Sequence, residues 1–127
     1  MSTPFADWLG MRFETADDGA REIVLDVQPH HTNRRGVLHG GVVSSLLDSA
    51  LGAAVVAAIK PEEWCGTVSL HVQFQRPARG PRVAARARLD SRGERVAFAT
   101  CELVDALGKV CARAQGVWHV WPGHPDG

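Results

Sequence analysis

The 127-residue chain has no surplus of charge: 14 Lys and Arg stand against 14 Asp and Glu. That balance excludes bulk, charge-driven binding of nucleic acid. Cysteine is scarce. Cys65, Cys101 and Cys111 make an odd number and no Cys-x-x-Cys occurs, which argues against a disulfide framework and suits a reducing cytoplasm. None of the histidines has zinc-ligand spacing with a cysteine, so no metal is expected. His30 and His31 are adjacent in a polar stretch and read as a solvated turn. Met1 to Asp7 has neither a charged start nor an apolar core, so a signal peptide is not expected. No internal repeat or linker divides the chain. What is there is a 45% hydrophobic composition, enough for the core of one ordinary domain spanning residues 1–127.

Residues 1–20 read as a lead-in, in which Phe5, Trp8, Leu9 and Met11 form a short helical turn packing on the body; 1–10 is its outer part. Glu22 to Val27 alternates, with Ile23, Leu25 and Val27 on one side, and predicts a strand. Gln28 to Gly36 is polar, contains Pro29 and Asn33, and predicts a loop. From about Gly41 to Lys60 apolar residues cover nearly the whole circumference of a helix, which marks it as buried; Pro61 ends it. Asp48, three serines and the lack of a polybasic flank argue against a membrane span. Many Ala and Gly residues let a sheet approach this helix closely. Four strand-like runs follow: Gly66–Gln75, Arg82–Asp90, Arg95–Val104 and Lys109–Trp121, with a hairpin turn at 91–94 and another at 105–108. Pro122–Gly127 reads as a flexible tail. The order predicts an α+β fold, an antiparallel sheet wrapped around one long central helix. Its exposed edge strand would suit a dimer.

The most informative stretch is Asn33-x-x-Gly36-x-x-His39-Gly40-Gly41 at the entry to that helix, followed by Asp48 inside it. Glycines after a histidine suit backbone amides that must approach a ligand. A helix starting there points free N–H groups and a positive dipole end at that ligand. A lone carboxylate two turns inside an apolar helix is costly to keep ionised, so it needs a structural or chemical reason. The pair suggests an oxyanion-binding helix end with a general base or nucleophile.

Together with Thr67 on the next strand and Arg76-Pro77-Ala78 and Gly80 beyond it, this pattern resembles the hotdog-fold acyl-CoA thioesterases. It is most similar to the phenylacetate-pathway branch related to the 4-hydroxybenzoyl-CoA thioesterases, and it covers residues 10 to 121. The resemblance implies hydrolysis of aromatic (phenylacetyl- or hydroxybenzoyl-like) or short-to-medium acyl-CoA in the cytoplasm, with no cofactor beyond the CoA of the substrate. It implies that Gly40 polarises the thioester carbonyl and that Gly41 lines the same helix end. Asn33 would assist or hold the substrate loop, and His39 would shape the helix entry. Asp48 would activate water or attack directly, and Thr67 would position the water or Asp48.

The chemistry agrees. Thioester hydrolysis builds charge on the carbonyl oxygen, which a preorganised amide stabilises. The CoA thiolate leaves readily, so neither a strong general acid nor a metal is required. Gly40 and Asp48 are eight residues apart, roughly 12 Å along a helix. A base must lie within ~3 Å of its water, so one chain's Gly40 and its own Asp48 are too far apart for one thioester. The expectation is a homodimer with composite sites, paired again as a dimer of dimers: Gly40 and Asn33 from one subunit, Asp48 and Thr67 from its partner. Arg76, Arg79, Arg82, Arg92 and Arg95, around two turns, are candidates for the CoA phosphates, and Trp64, Trp118 or Trp121 for an acyl pocket. Two alternatives stay open: a hotdog protein that binds acyl-CoA without hydrolysis, and a hotdog hydratase or dehydratase. The intact Asp48 disfavours the first. The second needs a catalytic His differently placed.

Overall fold

The computed structural model describes residues 2–126. Its element order is α1 (Pro4–Leu9), β1 (Arg12–Thr15), β2 (Arg21–Asp26), a single 3-10 turn at Pro29–His31, α2 (Gly40–Val56), β3 (Trp64–Phe74), β4 (Arg82–Arg92), β5 (Val96–Asp105) and β6 (Val110–Trp121). Six strands form one sheet in the order β1-β2-β4-β5-β6-β3, each neighbouring pair antiparallel. The sheet wraps α2, the architecture expected from the order of elements.

The alternation along the strands decides which side meets the helix. On β4, Val83, Ala85 and Ala87 are buried, while Arg82 and Arg88 point outward and are exposed. On β5, Ala97, Ala99, Cys101 and Leu103 are buried, and β6 adds Ala112, Ala114, Trp118 and Val120. These side chains meet Val43, Leu46, Leu47, Ala50, Leu51, Ala54 and Val55 of α2 in one core. Small residues dominate the sheet side, so the helix lies close. The tightest approach is at Gly52, where an added Cβ would stand 2.8 Å from the Trp118 ring.

Several elements differ from expectation. The helix stops at Val56 and does not run to Lys60. Ala58 N–H bonds back to Val55 C=O, tightening the last turn, and 60–63 forms a reverse turn closed by Glu63 N–H on the Lys60 carbonyl. Most of these residues are exposed, although Ile59 packs partly against the core and the Ala58 carbonyl accepts from Arg92. Nor is α2 buried all round. Gly41, Ser45, Asp48, Ser49, Gly52, Ala53 and Val56 form an open or half-open strip in the single chain. Residues 12–15, read as lead-in, form a strand because Arg12 to Thr15 pair in register with Val24 to Arg21. In α1, Leu9 packs into the core with Met11 beyond it, but Phe5 and Trp8 are exposed. Strand β3 begins at Trp64, two residues early. β4 continues through Ser91 and Arg92 by way of a bulge between Leu89 and Ser91. The turn therefore moves to 93–95, closed by Gly93 N–H on Val96 C=O. His31 is buried, not in a solvated turn. Its Nδ1 accepts from Gln28 N–H, and Nε2 lies 2.7 Å from the Leu9 carbonyl. In the tail, the His124 ring packs edge-on against Trp64. Met1 and Gly127, placed in the lead-in and the tail, lie outside the described residues.

Because no room exists above Trp118, Gly52→Val should destabilise the fold by about 2 kcal/mol or more through overpacking. Urea unfolding measures this, and a variant as stable as wild type would contradict the packing account.

Candidate active site at the helix entry

The sequence Asn33-Arg34-Arg35-Gly36 folds as a tight turn. Gly36 N–H bonds to Asn33 C=O, Gly36 takes φ +75°, and Asn33 Oδ1 accepts from Arg35 N–H. This is why glycine stands at 36: other residues rarely adopt that backbone region. The side-chain carbonyl of Asn33 thus holds the loop. The chain then pairs Thr32 with Leu38, and Leu38 N–H bonds to Ala78 C=O at 2.8 Å, tying the loop to the segment after β3.

His39 is the N-cap of α2. Its Nδ1 accepts from Gly41 N–H at 2.9 Å, and its carbonyl accepts from both Val42 and Val43. The ring is committed to shaping the helix start. One donor is left over. Among the described residues, nothing accepts from the Gly40 N–H. That amide borders a slot of about 350 Å³ whose walls include Val37, Leu38, Val43, Phe74, Leu103 and Ala112. An unpaired N–H at a helix N-terminus beside apolar walls is suited to an anionic oxygen.

Asp48 lies two turns further on, half exposed, on the open strip. Thr67 Oγ1 donates to its Oδ1 at 2.8 Å. The strand therefore fixes one carboxylate oxygen and leaves the other for a reactant. Thr67 and Asp48 come together within one chain, and so do Gly40 and Gly41. The two pairs do not meet, being separated by the two helical turns.

The candidate arginines divide. Arg92 is held by Glu63 through two bonds of 2.6 and 3.0 Å, and Arg82 pairs with Asp26 at 3.0 Å, so both are structural. Arg76 borders the slot, and Arg79 reaches the Arg35 carbonyl. Arg95 is exposed in the β4–β5 turn, away from the slot. Trp118 is a core residue, whereas Trp64 and Trp121 pair in register on the face of the sheet away from α2. Phe74, which sequence reasoning passed over, is exposed with its ring 3.5 Å from the Cβ position of Gly40. Its place at the end of β3, two residues before Arg76-Pro77, was the available signal. Burial raises the thiols of Cys65, Cys101 and Cys111, that of Cys101 to about 12 with help from Glu102, so none is an activated nucleophile.

Residues 35–112 match the thioesterase superfamily model. The chain is 35% identical to a Pseudomonas aeruginosa protein assigned as an esterase, over 94% of this chain and 90% of that one. It is 33% identical to the medium/long-chain acyl-CoA thioesterase YigI of Escherichia coli, covering 79% of this chain and 74% of the relative. Among solved structures, a phenylacetic acid degradation-related protein of Ralstonia eutropha, described as a thioesterase, superimposes with a TM-score of 0.84. It is 29% identical and covers 94% of this chain and 92% of that one. The fold and these relatives define a hotdog thioester hydrolase. This chain belongs to the thioesterase superfamily.

The Arg92 pair gives a pH-dependent signature. Hydrogen bonds from Arg92, and from the Lys60 N–H, hold the Glu63 carboxyl below the usual glutamate value. A lowered folded-state value contributes stability that is present above the ordinary carboxylate range and is lost as pH falls through the folded one. Glu63→Gln should therefore lower the melting temperature at neutral pH, with the gap closing in acid. A gap independent of pH between 7 and 3 would refute the account.

Proposed function

We propose that this thioester hydrolase cleaves acyl-CoA, at a site shared between two copies of the chain. The observation that carries the reading is the unpaired N–H of Gly40, a residue lining an apolar slot, with a threonine-held carboxylate two turns away. The substrate carbonyl oxygen accepts from Gly40 N–H. Asp48 takes a proton from water, whose oxygen attacks the carbonyl carbon, and the charge passes to the oxygen held by Gly40. Collapse expels the CoA thiolate, which takes up a proton, and the free acid remains. Direct attack by Asp48 to give a mixed anhydride, hydrolysed in a second step, is the variant of the same scheme.

A composite site is supported by the ~12 Å between Gly40 and Asp48 and by the half-open strip on α2. Strand β3 has a free edge of 11 residues and exposed Trp64, Val68 and Phe74. A second copy pairing there would lay Asp48 and Thr67 of one protomer beside Gly40 and Asn33 of its partner. A dimer of dimers is the assembly we favour. Among the described residues, no helix is long and apolar enough to cross a membrane, and three free thiols suit the cytoplasm. The hydratase alternative has no observation in its favour, because the His39 Nδ1 is occupied as a cap.

Gly40 is the first residue of α2, and His39 before it has φ −60° and ψ 139°. Proline fits both positions without strain, so Gly40→Pro removes the donor while keeping the helix. We expect kcat to fall about 10²–10³-fold. Asp48→Asn should cost about 10²–10⁴-fold. Mixing the two variants should restore activity, because each heterodimer has one intact site. Failure to recover while both variants fold and dimerise would overturn the composite site.

For the acyl group we propose an aromatic substrate, with short to medium chains next. The Phe74 ring beside Gly40 offers an aromatic acyl group an edge or face to pack on. A free-thiol assay over aryl and alkyl acyl-CoAs should give the highest kcat/KM for phenylacetyl- or benzoyl-type groups. A steady rise with alkyl chain length would refute that preference, and no thiol release would favour a non-catalytic binder.

A further inference from the structure

Among the described residues, His31 is the one polar residue that folding buries, and the hydrolytic scheme makes no use of it. Burying an imidazole is costly unless both nitrogens find partners. Here both do. Gln28 N–H donates to Nδ1 at 2.9 Å, so Nδ1 carries no proton, and Nε2 donates to the Leu9 carbonyl at 2.7 Å. Gln28 caps the 3-10 turn, and Leu9 ends α1, where a helix leaves carbonyls without partners. The backbone carbonyl of His31 accepts the His39 N–H at 2.9 Å, and Thr32 beside it pairs with Leu38. One residue thus joins the end of α1, the 3-10 turn and the residue that precedes Gly40.

We infer that His31 is a positioning residue for thioester hydrolysis, whose ring bonds hold its own carbonyl on the His39 N–H and so set the direction of the Gly40 N–H. The inference rests on the reading of Gly40 as the oxyanion donor. A peptide group is planar, so the 39–40 peptide decides where the Gly40 donor aims. On its helix side that peptide is fixed by Val42 and Val43, which donate to the His39 carbonyl. On its loop side two successive amides are tied, Leu38 N–H to Ala78 C=O and His39 N–H to His31 C=O, and the next amide is the free one. The His39 anchor is only as firm as the residue that supplies it, and His31 is pinned at both ring nitrogens. Asp48 and Thr67 hold each other and have no bond to this brace. A loosened brace therefore acts on the oxyanion side alone, where a displacement of about 1 Å is worth roughly 10²-fold in rate.

The test is a double-mutant cycle on kcat between H31F and Gly40→Pro, with H31N and H31Q as partial replacements. Phenylalanine keeps a ring in the cavity without either nitrogen. Asparagine restores an acceptor near the Nδ1 position, and glutamine a donor near the Nε2 position. H31F should lower kcat about 10–10²-fold with KM within about twofold, the pattern of an interaction lost only in the transition state. H31N and H31Q should fall between H31F and wild type. In the Gly40→Pro background H31F should cost nothing further, because the donor it aims is gone. E63Q, which loses stability away from the helix entry, should keep the wild-type kcat per folded enzyme. Amide hydrogen exchange reads the brace without turnover: H31F should speed exchange at His39 and leave β4 and β5 unchanged. If H31F does not fold, H31Q takes its place in the cycle. A wild-type kcat in H31F, equal losses in all three variants, a loss carried by KM, costs that add to that of Gly40→Pro, or unchanged exchange at His39 would each overturn the role of His31. Full activity of Gly40→Pro alone would sink the oxyanion reading and this role with it, whereas a slow Gly40→Pro beside an unimpaired H31F sinks the role alone.

Discussion

The contact between Gly52 and Trp118 sets the height of the central helix above the sheet, and the placing of Asp48 in the candidate site depends on it. Trp118 sits on β6, paired in register with Thr67 on β3. Gly52 is one helical turn beyond Asp48. Seating the helix on the indole through a residue with no side chain brings Asp48 down to Thr67, close enough for a 2.8 Å hydrogen bond. A larger residue at 52 would lift the helix and lengthen that bond. The same contact therefore serves stability and the placing of the carboxylate.

At the other end of the helix the constraint is a count of donors. A helix start leaves four N–H groups without partners inside the helix. Here those belong to His39, Gly40, Gly41 and Val42: the His31 carbonyl takes the first, and the Nδ1 and carbonyl of His39 take those of Gly41 and Val42. The remaining one, Gly40, opens on the slot. This explains why a histidine followed by glycine is useful without the imidazole taking part in chemistry. The ring removes competing donors and fixes the direction of the free one. The turn at 33–36 and the bond from Leu38 to Ala78 then hold the entry in place.

Much of this was legible in the residues because it is local. The period-two alternation of β2 and β4 located those strands. The apolar run after His39 located the helix, and the polar stretch with Pro29 and Asn33 located the loop before it. What escaped depends on partners far away in sequence. Strand β1 is only four residues with alternating charges, and it exists because β2 offers it an edge. His31 looked like a surface residue until Leu9, twenty-two positions earlier, supplied a carbonyl to its ring. Arg92 resembled a phosphate ligand until Glu63 claimed it. The helix end was misplaced for a related reason: past Val56 the Ala58 N–H turns back to the Val55 carbonyl, and Ala57 and Ala58 are exposed while Ile59 keeps part of its surface on the core. Of the candidate site, the pairs Gly40–Gly41 and Asp48–Thr67 lie where the motif spacing suggested. Phe74 emerged only from folding.

The open strip on α2 and the free edge of β3 belong to the same problem. An oxyanion donor works well when water is excluded and the local dielectric is low. One chain provides the donor and half the walls, but its carboxylate stands on a half-exposed strip next to an unpaired strand edge. Thr67, which holds Asp48, lies on that same strand. A partner that continued the sheet at β3 would pack beside the strand that holds Asp48. In the proposed dimer, completing the sheet, drying the carboxylate and bringing a second Gly40 within reach are one event. On the proposed reading, assembly and catalysis are coupled through the strand whose threonine holds Asp48.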